Sequence, residues 1–133
     1  MSGKQSSPRI APRIPLMALA AIALGAVLLP LAACRSYWIN ASIENQSGQL
    51  IRELEVDYPS ASFGADSLAP GATMHYRFQI RGSGPLHVQY SIPGGSSAHA
   101  DGLSLKERQH GQVTIRLLPQ GKVQFLPALQ PAS

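Results

Sequence analysis

One stretch decides the fold class: residues 73–80 read Thr-Met-His-Tyr-Arg-Phe-Gln-Ile, an unbroken alternation of polar and apolar side chains. A period of two places one set of side chains on each face of a β-strand. A similar alternation covers residues 86–92, after a connection that contains glycine and proline. The two stretches predict an antiparallel hairpin, with Phe78 opposite Val88 and Tyr76 opposite Tyr90 on the apolar side.

The same period recurs on both sides of this predicted hairpin. Residues 37–44 and 53–58 alternate around a Ser-Gly turn and predict a first hairpin. Residues 113–117 and 123–125 alternate around Pro-Gln-Gly and predict a third hairpin. Residues 103–105 form a short predicted strand, and aromatic side chains of the strands are predicted on the inner faces.

The remaining parts of the chain after residue 36 are rich in small and turn-forming residues. Residues 59–71 predict a loop in which Phe63 and Leu68 plug into the core, and residues 93–102 predict a mobile loop. About seven short strands at this spacing predict an all-β fold, a small antiparallel β-sandwich of immunoglobulin-like size over residues 37–127. A small open β-barrel is the alternative, and residues 128–133 are predicted to be a disordered tail.

The N-terminal segment has the organisation of an export signal. Residues 1–13 are polar and basic, and residues 14–33 contain no charge. The segment ends in Leu31-Ala32-Ala33-Cys34, which resembles the lipobox of bacterial lipoproteins. The resemblance implies cleavage between Ala33 and Cys34, removal of residues 1–33, and an N-acyl diacylglycerol on Cys34, with residues 34–36 as a tether. The alternative is an uncleaved single membrane span, because 20 uncharged residues can cross a bilayer.

Charge and cysteine content limit the function classes. The whole chain carries +4, but the segment before Cys34 holds three of the basic residues and none of the seven acidic ones. The remaining 100 residues therefore carry 8 − 7 = +1, which does not predict a nucleic-acid partner. Cys34 is the single cysteine, so an intramolecular disulfide is not available to the domain.

The predicted first hairpin carries the densest polar face of the chain. If residues 37–43 pair with residues 52–58, Trp38 shares one surface with Glu53, Glu55 and Asp57, together with Asn40, Ser42 and Glu44. This candidate partner-binding face would offer Trp38 as an apolar anchor to a cationic partner. The other interpretation is an ordinary solvated sheet face.

Metal binding and catalysis are not predicted. His75 and His87 lie about 13 Å apart in the predicted second hairpin, too far to share one zinc ion. His99 and Asp101 lie close in sequence to Ser104, but they belong to a predicted mobile loop, where a catalytic triad is not expected. No resident cofactor is predicted.

These observations together predict a lipid-anchored protein of the bacterial cell envelope. The lipobox resemblance implies attachment to the membrane, with the outer membrane favoured because Arg35, and not aspartate, follows the cysteine. The domain is expected to be a non-catalytic binding or accessory module with a possible envelope protein partner. The alternative is a periplasmic domain that binds a small ligand between its sheets, near Tyr58, Tyr76 or Tyr90.

Overall fold

The computed structural model describes residues 37–131, together with Gly3. The lipobox and Cys34 lie outside the described residues, so the structure does not test the predictions made for them. Within the described part, no helix is long and apolar enough to cross a membrane. The strands are β1 (Ile39–Asn45), β2 (Ile51–Tyr58), β3 (Ala61–Leu68), β4 (Thr73–Phe78), β5 (Gly84–Ile92), β6 (Ser96–Leu105), β7 (His110–Leu117) and β8 (Val123–Gln130).

The eight strands form two four-stranded sheets. Sheet A has the strand order β4-β1-β7-β8, and sheet B has the order β3-β2-β5-β6. All neighbouring strands are antiparallel except β1 and β7, which run parallel. The predicted all-β sandwich is confirmed, with two separate sheets in place of the alternative barrel and with one strand more than the seven predicted.

The core lies between the inner faces of the two sheets and is almost entirely aliphatic. Alternation along each strand brings one apolar side chain in two to this interface. Both sheets contribute to it in similar measure. The largest side chains with almost no exposed surface are Ile39, Ile43, Ile51, Val56, Leu86, Val88, Leu105, Val113, Ile115 and Leu117.

Two of the three predicted hairpins are wrong in their pairing. β1 does not pair with β2, because the chain crosses from sheet A to sheet B between Asn45 and Ile51. β4 does not pair with β5, because the chain crosses from sheet A to sheet B again between Phe78 and Gly84. Instead β4 pairs with β1, and β5 lies between β2 and β6. The alternation of apolar and polar residues indicates which face of a strand is buried, but it does not indicate which strand lies beside it.

The two predicted loops are largely strands. Residues of the first form β3, the edge strand beside β2, with Phe63 and Leu68 buried as predicted. The second contains the start of β6, which pairs with β5 through a tight turn. Gly94 and Gly95 have φ values of 100° and 86°, which residues with a side chain rarely adopt, and they allow this turn.

The third predicted hairpin is confirmed by the pairing of β7 with β8. Ile115 lies opposite Phe125 and Leu117 opposite Val123, and a short 3-10 turn at Pro119–Gly121 joins the strands. β8 continues to Gln130, so the tail predicted for residues 128–133 is wrong over residues 128–130. Pro127 stays within the strand because β8 is at the edge of sheet A, where its missing N–H costs little.

Candidate functional site

The predicted partner-binding face is divided between the two sheets. Trp38 precedes β1 of sheet A, whereas Glu53, Glu55 and Asp57 belong to β2 of sheet B. Since the outward side chains of the two sheets point away from each other, Trp38 does not share a surface with these carboxylates. The prediction of one combined face is therefore wrong, and its two halves form two different surfaces.

The outer face of sheet B is acidic. β2 contributes three carboxylates to it, and two other strands of the sheet add Asp66 from β3 and Asp101 from β6. Asp57 lies opposite His87, which in turn lies opposite Asp101, so one row of the sheet places a histidine between two carboxylates. Five of the seven acidic residues of the chain lie on this face: Glu53, Glu55, Asp57, Asp66 and Asp101.

Cross-strand hydrogen bonds occupy part of this acidic face. Ser91 Oγ donates to Glu53 Oε2 at 2.9 Å, and Gln89 Nε2 donates to Glu55 Oε2 at 3.2 Å. Among the described residues, no three His, Cys, Asp or Glu side chains are grouped closely enough to hold a metal ion. The carboxylates are spread along the sheet and do not converge, which is the arrangement of a solvated sheet face.

The histidines of the predicted second hairpin lie on different sheets. His75 lies on sheet A, where its Nδ1 is 3.1 Å from Ser42 Oγ, whereas His87 lies on sheet B. The Nδ1 atom of His87 contacts Asp101 Oδ1 at 2.5 Å, with both side chains about half exposed or more. His99 lies opposite Gln89 on the same open face. Residues 96–102 of the predicted mobile loop, which include His99 and Asp101, belong to β6 instead.

Trp38 forms a different site, at the edge of the sandwich where β4 ends. Residue Asn40 of β1 lies opposite Arg77 of β4, and this register brings the side chain of Arg77 over Trp38. The guanidinium carbon is 4.3 Å from the centroid of the Trp38 ring. The pair is a cation–π contact, in which the ring face attracts the charge and the ring carbons cover the guanidinium plane.

A cluster of four aromatic rings lies beside this pair and closes the sandwich between β3 and β4. Tyr58 stacks on Phe78 with 4.3 Å between ring centroids, and Phe63 stacks on Tyr76 with 4.2 Å. Burial raises the pKa of Tyr58, and the adjacent Tyr76 adds to the rise. Tyr76 is 40% exposed, so the prediction that it lies in the core is wrong. It is at the open margin because no strand covers β4 on that side within the described chain.

The edge groove is the depression of about 380 Å³ that these side chains surround. Its aromatic walls are Trp38, Tyr58 and Tyr76, and its cations are Arg77 and Arg81. The backbone N–H of Arg81 donates to Ser60 Oγ at 3.2 Å, which ties the β4–β5 loop to the β2–β3 turn and fixes this wall of the groove. Aromatic rings and arginines are the residue types enriched in protein-binding hot spots.

The structure also bears on the predicted site between the sheets. Tyr58 and Tyr76 line the open edge groove, whereas Tyr90 is buried on the inner face of β5. The three tyrosines therefore do not surround one cavity. Sequence reasoning missed the roles of Arg77 and Arg81, which lie about 40 residues after Trp38 and approach it only through the β1–β4 pairing.

The comparisons with known proteins identify a class of fold and no family. The described part of the chain is a small two-sheet β-sandwich, similar to the NMR structure of a protein from Eubacterium rectale. That similarity has a TM-score of 0.51 with 13% sequence identity, over 70% of this chain and 90% of that chain. No protein-family model and no curated protein matches the sequence. At this level of identity the likeness supports the fold alone.

Proposed function

We propose that this chain is a bacterial lipoprotein whose β-sandwich acts as a non-catalytic binding module of the cell envelope. The observation that carries the proposal is the Leu31-Ala32-Ala33-Cys34 sequence after a basic and then uncharged segment. A diacylglycerol on Cys34 together with an acyl chain on its amine would hold the domain at a membrane permanently, because more than one lipid chain is needed for stable anchoring.

The edge groove is the proposed docking site of a protein partner. β4 is an edge strand, and its free backbone groups can pair with an extended segment of another chain. Beside that edge, Tyr76 offers an exposed ring and Arg77 offers a cation already oriented by Trp38. These features suit an extended partner segment that carries an aromatic or acidic side chain.

The short distance along the chain between the lipid and the groove supports this assignment. Trp38 follows Cys34 by four residues, which span at most about 14 Å when fully extended. A partner in the groove would therefore be held near the membrane surface. Confinement of both molecules to that surface raises their effective concentration, so a modest affinity suffices.

Radioactive palmitate labelling tests the anchor. We expect the wild-type chain to incorporate label and Cys34→Ser to incorporate none, since the thioether needs the sulfur. Mass spectrometry of the native N-terminal peptide gives the independent readout. A chain that begins at Met1 with an unmodified thiol would overturn the lipoprotein assignment and favour the uncleaved membrane span.

Photo-crosslinking in intact cells tests the groove. A photo-reactive residue at position 76 is expected to crosslink to one envelope protein, and Trp38→Ala is expected to abolish that product. The matched control places the same residue at Gln124, an exposed position on β8 at the opposite edge of sheet A. Equal products at both positions, or a product that survives Trp38→Ala, would reject the edge groove as the docking site.

A further inference from the structure

The charges of the described domain cancel in number but are separated in space. Residues 37–131 contain seven basic and seven acidic residues. The outer face of sheet B holds five of the acidic ones, as described above. Among the basic residues, Arg52 belongs to β2 of the same sheet, whereas Arg81, Lys106 and Arg108 belong to two loops at one end of the sandwich.

The two loops are tied to each other at that end. The backbone N–H of Glu107 donates to Ser83 Oγ at 3.1 Å, which joins the β6–β7 turn to the β4–β5 loop. Gly84 and Leu105, which border these loops, are opposite each other in sheet B. The basic end is therefore one surface, made of residues 79–83 and 106–109, with Glu107 as its one carboxylate.

The described chain also begins at the basic end. The backbone N–H of Gly111, directly after the β6–β7 turn, donates to the carbonyl of Trp38 at 3.0 Å. The rings of Tyr37 and His110 lie 6.1 Å apart. Tyr37 and Trp38 therefore lie at the basic end, beside its loops. Both are amphipathic aromatic residues, of the kind enriched at membrane interfaces.

The opposite end of the sandwich is nearly uncharged. The turns there are residues 46–50, 69–72, 93–95 and 118–122, and they contain a single charged residue, Lys122. Arg52 lies near this end, at the start of β2. The domain therefore has a basic end, which also holds Tyr37 and Trp38, and a second end with little charge.

We propose that the basic end rests on anionic phospholipid headgroups of the membrane that holds the chain. The inference depends on the proposed membrane anchor and adds the orientation of the domain. Arg81, Lys106 and Arg108 are attracted by a negative surface, and the acidic face of sheet B is repelled by it, so one orientation is favoured. The edge groove, which Arg81 borders, then lies beside the membrane and opens along it.

The single tryptophan of the chain, Trp38, reports this contact without a label. The membrane-anchored protein, purified from cells, is reconstituted into phosphatidylcholine vesicles with or without phosphatidylglycerol. A nitroxide on a small fraction of the headgroups quenches tryptophan at short range. We expect stronger quenching of Trp38 when phosphatidylglycerol is present and loss of the difference at 1 M salt, where the screening length is about 3 Å.

Two double variants with the same change in charge separate position from net charge. Arg81→Gln with Lys106→Gln removes two cations from the basic end, and Arg52→Gln with Lys122→Gln removes two from elsewhere. All four side chains are exposed and make no hydrogen bond or ion pair within the described residues. The first variant is expected to lower the ratio of docked to undocked protein about 30-fold, at about 1 kcal/mol per cation, and the second to leave it within about twofold.

The outcomes distinguish this inference from the proposed anchor. Mass spectrometry of the N-terminal peptide in the same preparation reports whether Cys34 carries lipid. Equal quenching of Trp38 in both kinds of vesicle would overturn the inference while leaving a lipidated anchor intact, and it would mean that the basic end faces away from the membrane. Equal losses in the two double variants would also overturn it, because only net charge would then matter.

Discussion

The side-chain amide of Asn45 donates a hydrogen bond to the backbone carbonyl of Leu68 at 2.9 Å, and this bond joins the end of β1 in sheet A to the end of β3 in sheet B. Asn45 is the one buried polar residue of the described chain. The same nitrogen donates to the carbonyl of Gln49 at 2.7 Å, and Oδ1 accepts from Ser47 Oγ at 2.6 Å. The side chain of Asn45 thus links the turn at residues 46–50, where the chain crosses between the sheets, to strands of both sheets.

Replacement of Asn45 by alanine is expected to lower the free energy of unfolding by about 2–3 kcal/mol. The substitution leaves the buried carbonyl of Leu68 without this donor, and an unsatisfied buried polar group costs about 1–3 kcal/mol. Urea denaturation followed by circular dichroism measures the change. The matched control is Asn40→Ala on the same strand, an exposed side chain for which a change within about 0.5 kcal/mol is expected. Equal effects at the two positions would contradict the role assigned to Asn45.

Tyr90→Phe is expected to stabilise the domain at neutral pH by about 1 kcal/mol. The Tyr90 hydroxyl is buried and has no hydrogen-bond partner among the described residues. Phenylalanine keeps the ring and removes the unpaired group, so its desolvation cost disappears. Chemical denaturation at neutral pH gives the result, and a loss of stability on this substitution would show that the hydroxyl has a partner. Tyr37→Phe, at a half-buried position, serves as the control and should change little.

The same tyrosine is expected to make the domain sensitive to alkaline pH. Burial raises the pKa of Tyr90 above its ordinary value of 10.0. The folded chain therefore keeps this proton after the unfolded chain has lost it, and the free energy of unfolding falls as pH rises from about 10 towards the raised pKa. Denaturation midpoints measured on both sides of pH 10 should fall less for Tyr90→Phe than for the wild type. If the midpoints of the wild type and of Tyr90→Phe fell equally with pH, Tyr90 would not be the source of the alkaline sensitivity.

Gly64→Ala is expected to destabilise the domain by about 3 kcal/mol, because a Cβ there would lie 2.0 Å from the backbone carbonyl oxygen of Leu54. A backbone atom in a paired strand cannot yield as a side chain can, so β3 must shift against β2. Gly84→Ala is the matched control, since its Cβ would make an ordinary 3.5 Å contact with the Pro59 ring. Thermal unfolding of the two variants compares them, and a tolerated Gly64→Ala would mean that β3 moves freely.

Arg77→Gln is expected to change the emission of Trp38 and to lower the free energy of unfolding by about 0.5–1 kcal/mol. The substitution removes the cation that lies 4.3 Å from the ring centroid and uncovers the ring. Because Trp38 is the one tryptophan, its emission and its quenching by iodide report on this site alone. Arg52→Gln, on the other sheet, should leave both readouts unchanged. An unaltered emission spectrum in Arg77→Gln would contradict the contact.

The third hairpin shows how far local sequence can lead. β7 and β8 are joined by residues 118–122, in which Pro119–Gly121 form a 3-10 turn and the backbone N–H of Leu118 donates to the carbonyl of Lys122 at 2.7 Å. This closed turn reverses the chain and directs its flanking strands into antiparallel pairing. As predicted, the apolar side chains of residues 113–117 face those of residues 123–125, and Ile115 lies opposite Phe125. Pairing was predictable here because the turn itself determines it.

The first hairpin shows where the same reasoning stops. Residues 46–50 also form a short polar connection, yet the chain uses it to cross between sheets. The reason lies in Asn45, whose hydrogen bonds to Gln49 and Leu68 stabilise the crossing conformation. The bond to Leu68 forms only when β3 is in place. Sequential strands pair often but not always, and the exceptions here depend on contacts that are distant in sequence.

The edge groove was not predicted for the same reason, because it depends on which strands are neighbours. Trp38 was recognisable as an apolar side chain among polar ones, but its neighbours were assigned to β2 and not to β4. The parallel pairing of β1 with β7 and the antiparallel pairing of β1 with β4 leave no place for β2 in sheet A. Arg77 therefore lies beside Trp38, where the carboxylates of β2 were predicted to lie.

The sequence by itself determined the all-β class, nearly every inward-facing residue and the resemblance of the N-terminus to a lipoprotein signal, because periodicity and short motifs are local properties. Only the tertiary structure decided which strands are neighbours, and hence which polar residues share a surface. An alternating strand buries the same side chains against any partner, so the choice among partners depends on how the two sheets close around a common core.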